Sequence, residues 1–532
     1  MKRNYFVCCL LALLGSLNVQ AVSFVVDGIS YEAEKDTNLV AVIAGAELYE
    51  GAINIPATVR YGDVDYTVTK IGEKAFYYCT GVTSVTIAEG ITKIDYAAFR
   101  NCSGMISVTL PSTLKSLGTS AFFGCKSLTS VSIPAAVDSI KPYTFYGCEA
   151  LTAFTVPNTV RFVGGSAFTG CKNLTSVVLP EGITEIASYT FRSCFKLTSV
   201  NIPASVTSIG DLAFENCIML SNVTLPDGLR QLGSGAFDLC LGLKSINIPA
   251  SLKNIAPSTF SSCTSIESIT VAAGNPVYST PDNCNALIET ILDEKTQKVT
   301  KRLVLGCKNS FIPVGVTEIG KYAFNSCVGL TSVTIPGTVT SIGDYAFNNC
   351  LNLASVEIPE GVADIGVGVF SDCSSLTSVV IPSTVTSISE SLFEYCTGLT
   401  TVTLPATLTS IDDDAFYGCA DLETIVCLAT KCPKLSLTSF DWDLVPEISL
   451  SVPESAVDLY EADELWSMFN VEAIGGAAVA PSWDTETAVS DLKGDARIVN
   501  VYNLGGQQNT RMQRGINVVR MSDGTTRKIL MK

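Results

Sequence analysis

The side chains best suited to chemistry in this 532-residue chain are its 20 cysteines, and they stand beside a complete absence of histidine. A thiolate can act as a nucleophile, ligate a soft metal or close a disulfide. Without histidine, no Ser-His-Asp, Cys-His or His-metal arrangement can be assembled. A zinc array needs clustered ligands such as CxxC pairs, and none occur. What the cysteines have instead is a period. Cys79, Cys102, Cys125, Cys148, Cys171, Cys194, Cys217, Cys240 and Cys263 follow one another at 23 residues, and the ladder resumes at Cys327, Cys350, Cys373, Cys396 and Cys419. A phenylalanine precedes each by three: Phe76, Phe99, Phe122, Phe145, Phe168, Phe191, Phe214, Phe237 and Phe260, then Phe324, Phe347, Phe370, Phe393 and Phe416.

Two readings of the cysteine column compete. Export would permit a disulfide series. Yet each repeat carries one cysteine at one equivalent position, and pairing neighbours would break a regular stack. Free cysteine is among the most buried residue types. The column is therefore read as buried free thiols, and the phenylalanine column as core.

The carboxylates offer little more. Asp412-Asp413-Asp414 is a cluster, but it sits in a turn, where a solvated role competes with a calcium site that needs further oxygen ligands. No GxGxxG after a strand, no phosphate-binding GxxxxGK[ST] and no HExxH is present. Paired carboxylates could run a glycosidase, but nothing places two of them at a cleft. The expectation is a protein that is not an enzyme, with no catalytic residues, metal site or cofactor.

The element that positions these columns is the repeat itself. In Leu330–Cys350, the apolar set is Leu330, Val333, Ile335, Val339, Ile342, Ala346, Phe347 and Cys350. Ser332–Ile335 and Val339–Ile342 read as short strands, punctuated by Pro336 and ended by Gly343. Asp344–Asn349 is long enough for one helical or 3₁₀ turn carrying Phe347 inward. A 23-residue unit cannot bury its own apolar face, so neighbouring units must stack. Each coil then adds a strand to a parallel sheet, about 4.8 Å along the axis. Composition agrees with a non-catalytic solenoid. Charged residues are only 16%, against about 25% in an average soluble protein. The formal charge of −17 argues against a nucleic-acid partner.

The IPxxVTSIGxxAFxxC pattern resembles the BspA-like leucine-rich repeats of bacterial surface proteins, over about Ile53 to Cys419. The resemblance implies an α/β-type but strand-rich, right-handed leucine-rich repeat solenoid with a parallel β-sheet, exported to the cell surface or outside the cell. It implies adhesion to host proteins or to other cells. The first copy is split by an insertion between Val59 and Tyr66, and Gly274–Pro313 matches a variant these proteins carry, with Cys284 and Cys307 in it.

The expected organisation has six parts. Residues 1–21 read as a signal peptide, with Lys2 and Arg3 ahead of an apolar run too short to span a membrane. Its removal takes the charge from −17 to −19. Residues 22–60 form a β cap and 61–426 the solenoid, with irregular coils at 264–313. Residues 427–475 form a C-terminal cap, in which Cys427 and Cys432 flank a loop and Tyr460, Trp466 and Phe469 supply aromatics. Residues 476–493 form a linker. Residues 494–532 form a small basic β module with seven bases and two acids, and its sequence resembles a type IX secretion sorting domain; a plain β spacer is the alternative. No later segment is long and apolar enough to span a membrane.

What remains for function is surface. The outward positions of the first strand form columns of small polar residues, from Ser84 and Thr86 to Thr424 and Val426. Such a face lacks the Trp, Tyr and Arg of binding hot spots. Exposed aromatics are expected in the turn segments, and Tyr77, Tyr96, Tyr143, Tyr189, Tyr322 and Tyr345 are the candidate ligand-binding residues. A host or cell-surface protein is the expected partner. Glycan capture and a ligand-free structural spacer are the alternatives.

Overall fold

A computed structural model describes residues 22–474 and, beyond them, the strands Ile498–Tyr502, Gln508–Asn509, Gly515–Met521 and Thr526–Met531. The expected signal peptide and linker lie outside the described residues. The last four strands form one antiparallel sheet.

The coils repeat one plan. In Leu330–Cys350, Ser332–Thr334 is the first strand and Ser341–Ile342 the second. Between them the Val339 N–H donates to the Pro336 carbonyl at 3.0 Å, closing a four-residue turn. Both strands pair in parallel with their equivalents one repeat on, Ser332 opposite Ser355 and Ser341 opposite Asp364. A slip of one residue would turn the buried Ile342 to solvent, so burial fixes the register.

The turn segment before each cysteine differs from expectation: it is not a helical or 3₁₀ turn. Two of its residues are left-handed, two before and two after the phenylalanine. Tyr322 and Ser326 lie at φ 60° and 56°, Tyr345 and Asn349 at 56° and 57°. Alternate N–H groups then serve different partners. Ala346, Asn348 and Cys350 donate within their own coil, to Gly343, Tyr345 and Phe347. Tyr345, Phe347 and Asn349 donate along the axis to the next coil, to Val367, Val369 and Ser371 at 2.8, 2.9 and 2.8 Å. A helical turn would consume all six internally and leave the coils unlinked here. The one α-helix among the described residues, Val457–Glu461, lies in the C-terminal cap.

The phenylalanine column stacks with nearly parallel rings. Phe99 and Phe122 have centroids 5.4 Å apart and planes 3° apart; for Phe214 and Phe237 the values are 5.2 Å and 3°. This matches the roughly 4.8 Å rise that parallel strands impose. Each ladder thiol from Cys102 to Cys263 and from Cys350 to Cys419 donates to the phenylalanine carbonyl of the preceding coil. Cys217 reaches Phe191 at 3.2 Å, and the same oxygen accepts the Cys194 N–H. The phenylalanine carbonyl therefore uses both lone pairs. All 18 cysteines from Cys79 onward are free thiols.

Both caps extend the ladders further than the expected boundaries. Ser23–Val26, Ile29–Ala33 and Leu39–Val42 form the N-terminal β cap, and the last of these pairs in parallel with Val64–Ile71. Gly51–Ile55, assigned to the cap by sequence, is already a first-strand rung, parallel to Val82–Ile87. The first insertion is a hairpin of Thr58–Tyr61 with Val64–Ile71. At the other end, Ser449–Val452 and Asn470–Ala473 add two rungs beyond Thr424–Cys427. Phe440 continues the ring stack, 5.1 Å from Phe416. Buried Trp466 closes the end, its indole N–H donating to the Pro433 carbonyl at 2.8 Å, and Tyr460 donates to the Ala429 carbonyl.

Residues 264–313 interrupt the stack and divide the core into two clusters. Leu287–Leu292 and Val299–Leu305 make an antiparallel hairpin, and the second arm pairs in parallel with Glu318–Ile319. Gly306 occupies a phenylalanine position: its N–H donates to the Ala323 carbonyl, and a Cβ there would overlap the Phe324 ring.

These packing roles predict a graded response in denaturant unfolding. Phe214→Ala should cost about 3–5 kcal/mol, because the stack cannot collapse around a missing ring. Cys217→Ala should cost about 1 kcal/mol, since Phe191 keeps one of its two donors. A cysteine variant as costly as the phenylalanine variant would overturn this ranking.

Candidate functional site

The thiols are the first candidates, and burial disarms them. Desolvation holds Cys171, Cys217, Cys373 and Cys419 up at about 12, from an ordinary value of 9.0, and pushes Cys125, Cys148, Cys194 and Cys240 further up. A protonated, buried thiol is neither nucleophile nor metal ligand. Among the described residues, no group of three or more Cys, Asp or Glu side chains is arranged to hold a metal ion. The Asp412–Asp414 cluster serves the turn: Asp413 accepts from the Ser436 hydroxyl and Asp414 is left-handed at φ 54°. Cys284 and Cys307 are both free; the Asn285 side-chain amide lies 3.2 Å from the Cys307 sulfur.

The first-strand face is exposed along most of its length, as at Ser176, Ser199 and Asn222, but Thr403 and Val426 near its end are buried. The tyrosines lie on a different side, the turn edge. Tyr77, Tyr96, Tyr143 and Tyr189 are exposed. Tyr322 and Tyr345 are not: they are half-buried, because they stack on each other at 5.4 Å and 12°. Only that pair is brought together among the six.

The turn edge holds more than those six. Tyr146 stacks on Phe123 at 4.5 Å and 3°, and the Arg100 guanidinium covers the other ring at 3.8 Å. Lys74 lies 5.5 Å over Tyr96 and Arg192 lies 5.7 Å over Tyr189. Such cation–aromatic pairs contribute about 0.5–2 kcal/mol each. Their charges are segregated. The turn segments up to Lys196 carry Lys74, Arg100, Lys126, Lys141, Lys172, Arg192 and Lys196 against Glu73, Asp95 and Glu149. From Asp211 to Asp414 the turn segments of the regular coils carry ten carboxylates and one base, Lys321. Sequence reasoning missed Arg100, Phe123 and Tyr146, although they share one column, the residue after each ladder phenylalanine.

A second feature lies at the break. A cleft of about 440 Å³ opens between Asn254–Ser261 and Gly320–Tyr322, floored by Glu289, Arg302 and Glu318. Arg302 binds both carboxylates, Glu318 at 2.7 Å and Glu289 at 3.2 Å. Burial pushes the Glu289 carboxyl up and the Tyr278 phenol up to about 12. Tyr278 accepts the Ile255 N–H that the missing rung would otherwise engage. The interruption in the cysteine ladder was the sequence signal for this cleft.

Linkage sets the sign of a pH test. Below pH 9 the ladder thiols are protonated whether the chain is folded or not. Between 9 and about 12 only the unfolded chain ionises, so stability falls as pH rises. The melting temperature should fall steeply above pH 9, and native protein should resist thiol reagents until unfolded, with the half-buried Cys432 labelled first. A melting temperature unchanged through pH 11, or mostly oxidised cysteines, would contradict the buried-thiol core.

The comparisons with known proteins bear on the repeat. The BspA type leucine rich repeat region, a family pattern of six copies, matches residues 69–198, 184–309 and 304–423. A leucine-rich repeat protein from Bacteroides ovatus ATCC 8483, solved by crystallography, is similar over 85% of this chain and 99% of its own, with 27% identity and a TM-score of 0.53. A leucine rich cell surface protein from Faecalibacterium prausnitzii A2-165 is 28% identical over 79% of this chain and 96% of its own, with a TM-score of 0.49. No curated protein matches the chain. With the family pattern spanning most of the solenoid, and with the 23-residue coil and its phenylalanine and thiol columns seen in the fold, this chain belongs to the BspA-type leucine-rich repeat family.

Proposed function

We propose that this chain is an exported, surface-associated binding protein without catalytic activity, and that it adheres to proteins of a host or of other cells. The observation that carries the reading is the turn edge of the N-terminal coils, where Arg100, Phe123 and Tyr146 form a stacked column with Tyr77, Tyr96, Tyr143 and Tyr189 exposed nearby. Tyr and Arg are the residues enriched at binding hot spots. Membership of a family of bacterial surface proteins supports export behind residues 1–21. No helix among the described residues is long and apolar enough to cross a membrane. Residues 494–532, whose sequence resembles a sorting domain, would serve as a sorting or anchoring signal that takes no part in ligand binding.

Glycan capture is the second reading, and the flat Phe123–Tyr146 pair is what favours it. The uniform Ser/Thr face suits the spacer reading only if the turn edge also proves inert.

Two experiments test this reading. The double variant F123A/Y146A should stay folded, with stability lowered by about 0.5–2 kcal/mol for the lost Arg100–Phe123 contact, and lose at least tenfold in binding to immobilised host matrix and mucosal proteins. Equal binding by both forms would refute the turn edge as the site, and a loss that disappears once the target proteins are deglycosylated would favour glycan capture. Deleting residues 494–532 should leave a folded solenoid trapped in the periplasm of the native bacterium. Unchanged surface display would end the sorting role.

A further inference from the structure

Where the last ladder coil meets the C-terminal cap, the turn edge opens into a pocket of about 280 Å³. Tyr417, Leu437 and Trp442 line it, together with Asp414, Asp441 and Asp443. Leu437 is 73% exposed and the Tyr417 ring is exposed as well, so apolar surface faces solvent here. Hydrogen bonds set the shape of the pocket. The Asp414 N–H, an axial donor in the regular plan, donates to the Thr438 hydroxyl at 3.2 Å, and the Phe416 N–H donates to the Ser439 carbonyl at 2.8 Å. The Trp442 indole N–H donates to the Leu437 carbonyl, and its ring packs at steep angles on Phe440 and Phe469, with centroids 6.0 and 6.4 Å away. Tyr417 meets exposed Tyr395 edge to face at 5.7 Å, and Tyr395 lies over Gly418, where a Cβ would overlap its ring.

The charge around these rings has one sign. From Tyr322 to Ile474 the chain carries 21 acids and two bases, Lys431 and Lys434. Among the described residues, none of Glu394, Asp412, Asp413, Asp414, Asp441 and Asp443 is in an ion pair. Partial desolvation, and after it Tyr417 and the Glu394, Asp372 and Asp414 carboxylates, push the Tyr395 phenol up, which places those charges beside the aromatic row. Ring faces attract a cation, and carboxylates accept its N–H groups. The pocket offers both and holds no base of its own.

We propose that this pocket receives an arginine or lysine side chain from a basic segment of a partner protein. Charge complementarity selects the occupant. An anionic glycan or an acidic peptide would meet carboxylates and no base. A neutral apolar side chain could fill the walls but would leave the carboxylates unanswered. A bare metal ion needs several ligands at once, and among the described residues no group of three or more acids or cysteines is arranged to hold one. A basic side chain has both parts required: an apolar stem to lie against Leu437 and the rings, and a charged head for Asp414, Asp441 and Asp443. The negative field of the surrounding coils would also steer a basic segment to this edge. The inference goes beyond the reading of the N-terminal turn edge and stands independently of Arg100, Phe123 and Tyr146.

The test uses the full mature chain and, as probe, a flexible Gly/Ser peptide carrying spaced arginines, with binding followed by calorimetry. The citrulline counterpart of the peptide, equal in shape and uncharged, should bind at least tenfold more weakly. D414N/D441N/D443N should lose at least tenfold for the arginine peptide. Asparagine keeps the side-chain shape and adopts the left-handed backbone that Asp414 holds at φ 54°. Tyr417→Ala, which removes an exposed ring, should weaken binding about fivefold. E357Q/D364N/E454Q removes the same charge outside the pocket and should bind within about twofold of wild type, since salt screens distant charges. F123A/Y146A should leave this binding intact, which separates the pocket from the N-terminal turn edge. Thermal melts check that each variant is folded. The proposal fails if the citrulline peptide binds equally, if D414N/D441N/D443N or Tyr417→Ala binds as wild type does, or if E357Q/D364N/E454Q loses as much as the pocket variant. Spermidine binding as tightly as the peptide would overturn a protein as the source of the cation.

Discussion

The structure depends on backbone N–H groups aimed along the solenoid axis. Hydrophobic burial explains why coils stack, but burial alone is non-directional and would tolerate sliding. The axial bonds from Tyr345, Phe347 and Asn349 to the next coil permit one register and one rise. They require two left-handed residues in each turn, most of which are not glycine, a conformation of order 1–3 kcal/mol costly when unsupported. Here two ladders of hydrogen bonds over-determine it. The same geometry throws the side chain two before each phenylalanine toward the edge, so Tyr143 and Tyr189 are displayed by the bonds that hold the coils together.

The cysteine column follows from that backbone. The phenylalanine carbonyl accepts one N–H from its own coil and has a lone pair left in an apolar interior. A thiol is small and apolar enough to be buried there, yet it donates weakly to that oxygen. Alanine would leave that lone pair unserved. The ladder is thus a solvation device for a carbonyl within the core.

The solenoid was legible in the sequence because period and burial coincide: a 23-residue spacing with two locked columns admits little else. The turn segment was not. Asp344–Asn349 has the length of a helical turn, and only neighbouring coils reveal where its N–H groups go. Phe440 was missed because its coil lacks the partner cysteine. The split first copy reads from about Ile53, yet the cap boundary at residue 60 leaves Gly51–Ile55 outside the solenoid, because the hairpin Thr58–Ile71 interrupts that coil. For the candidate site, residue type pointed to the turn edge, but single-residue reasoning overlooked the column of Arg100, Phe123 and Tyr146. It also counted Tyr322 and Tyr345 as exposed, although each shields the other.

The break at 264–313 shows the rule by its exception, since the coil of Phe260 keeps its internal turns and, among the described residues, its axial N–H groups at Ser258, Phe260 and Ser262 have no acceptor. Amide hydrogen exchange followed peptide by peptide tests the central claim most directly. The account predicts that turn segments of regular coils, though neither helix nor long strand, are protected as strongly as the first strands, while residues 256–262 exchange fast. Turn segments that all exchange at the rate of open loops, or protection at 256–262 equal to that of its neighbours, would contradict it.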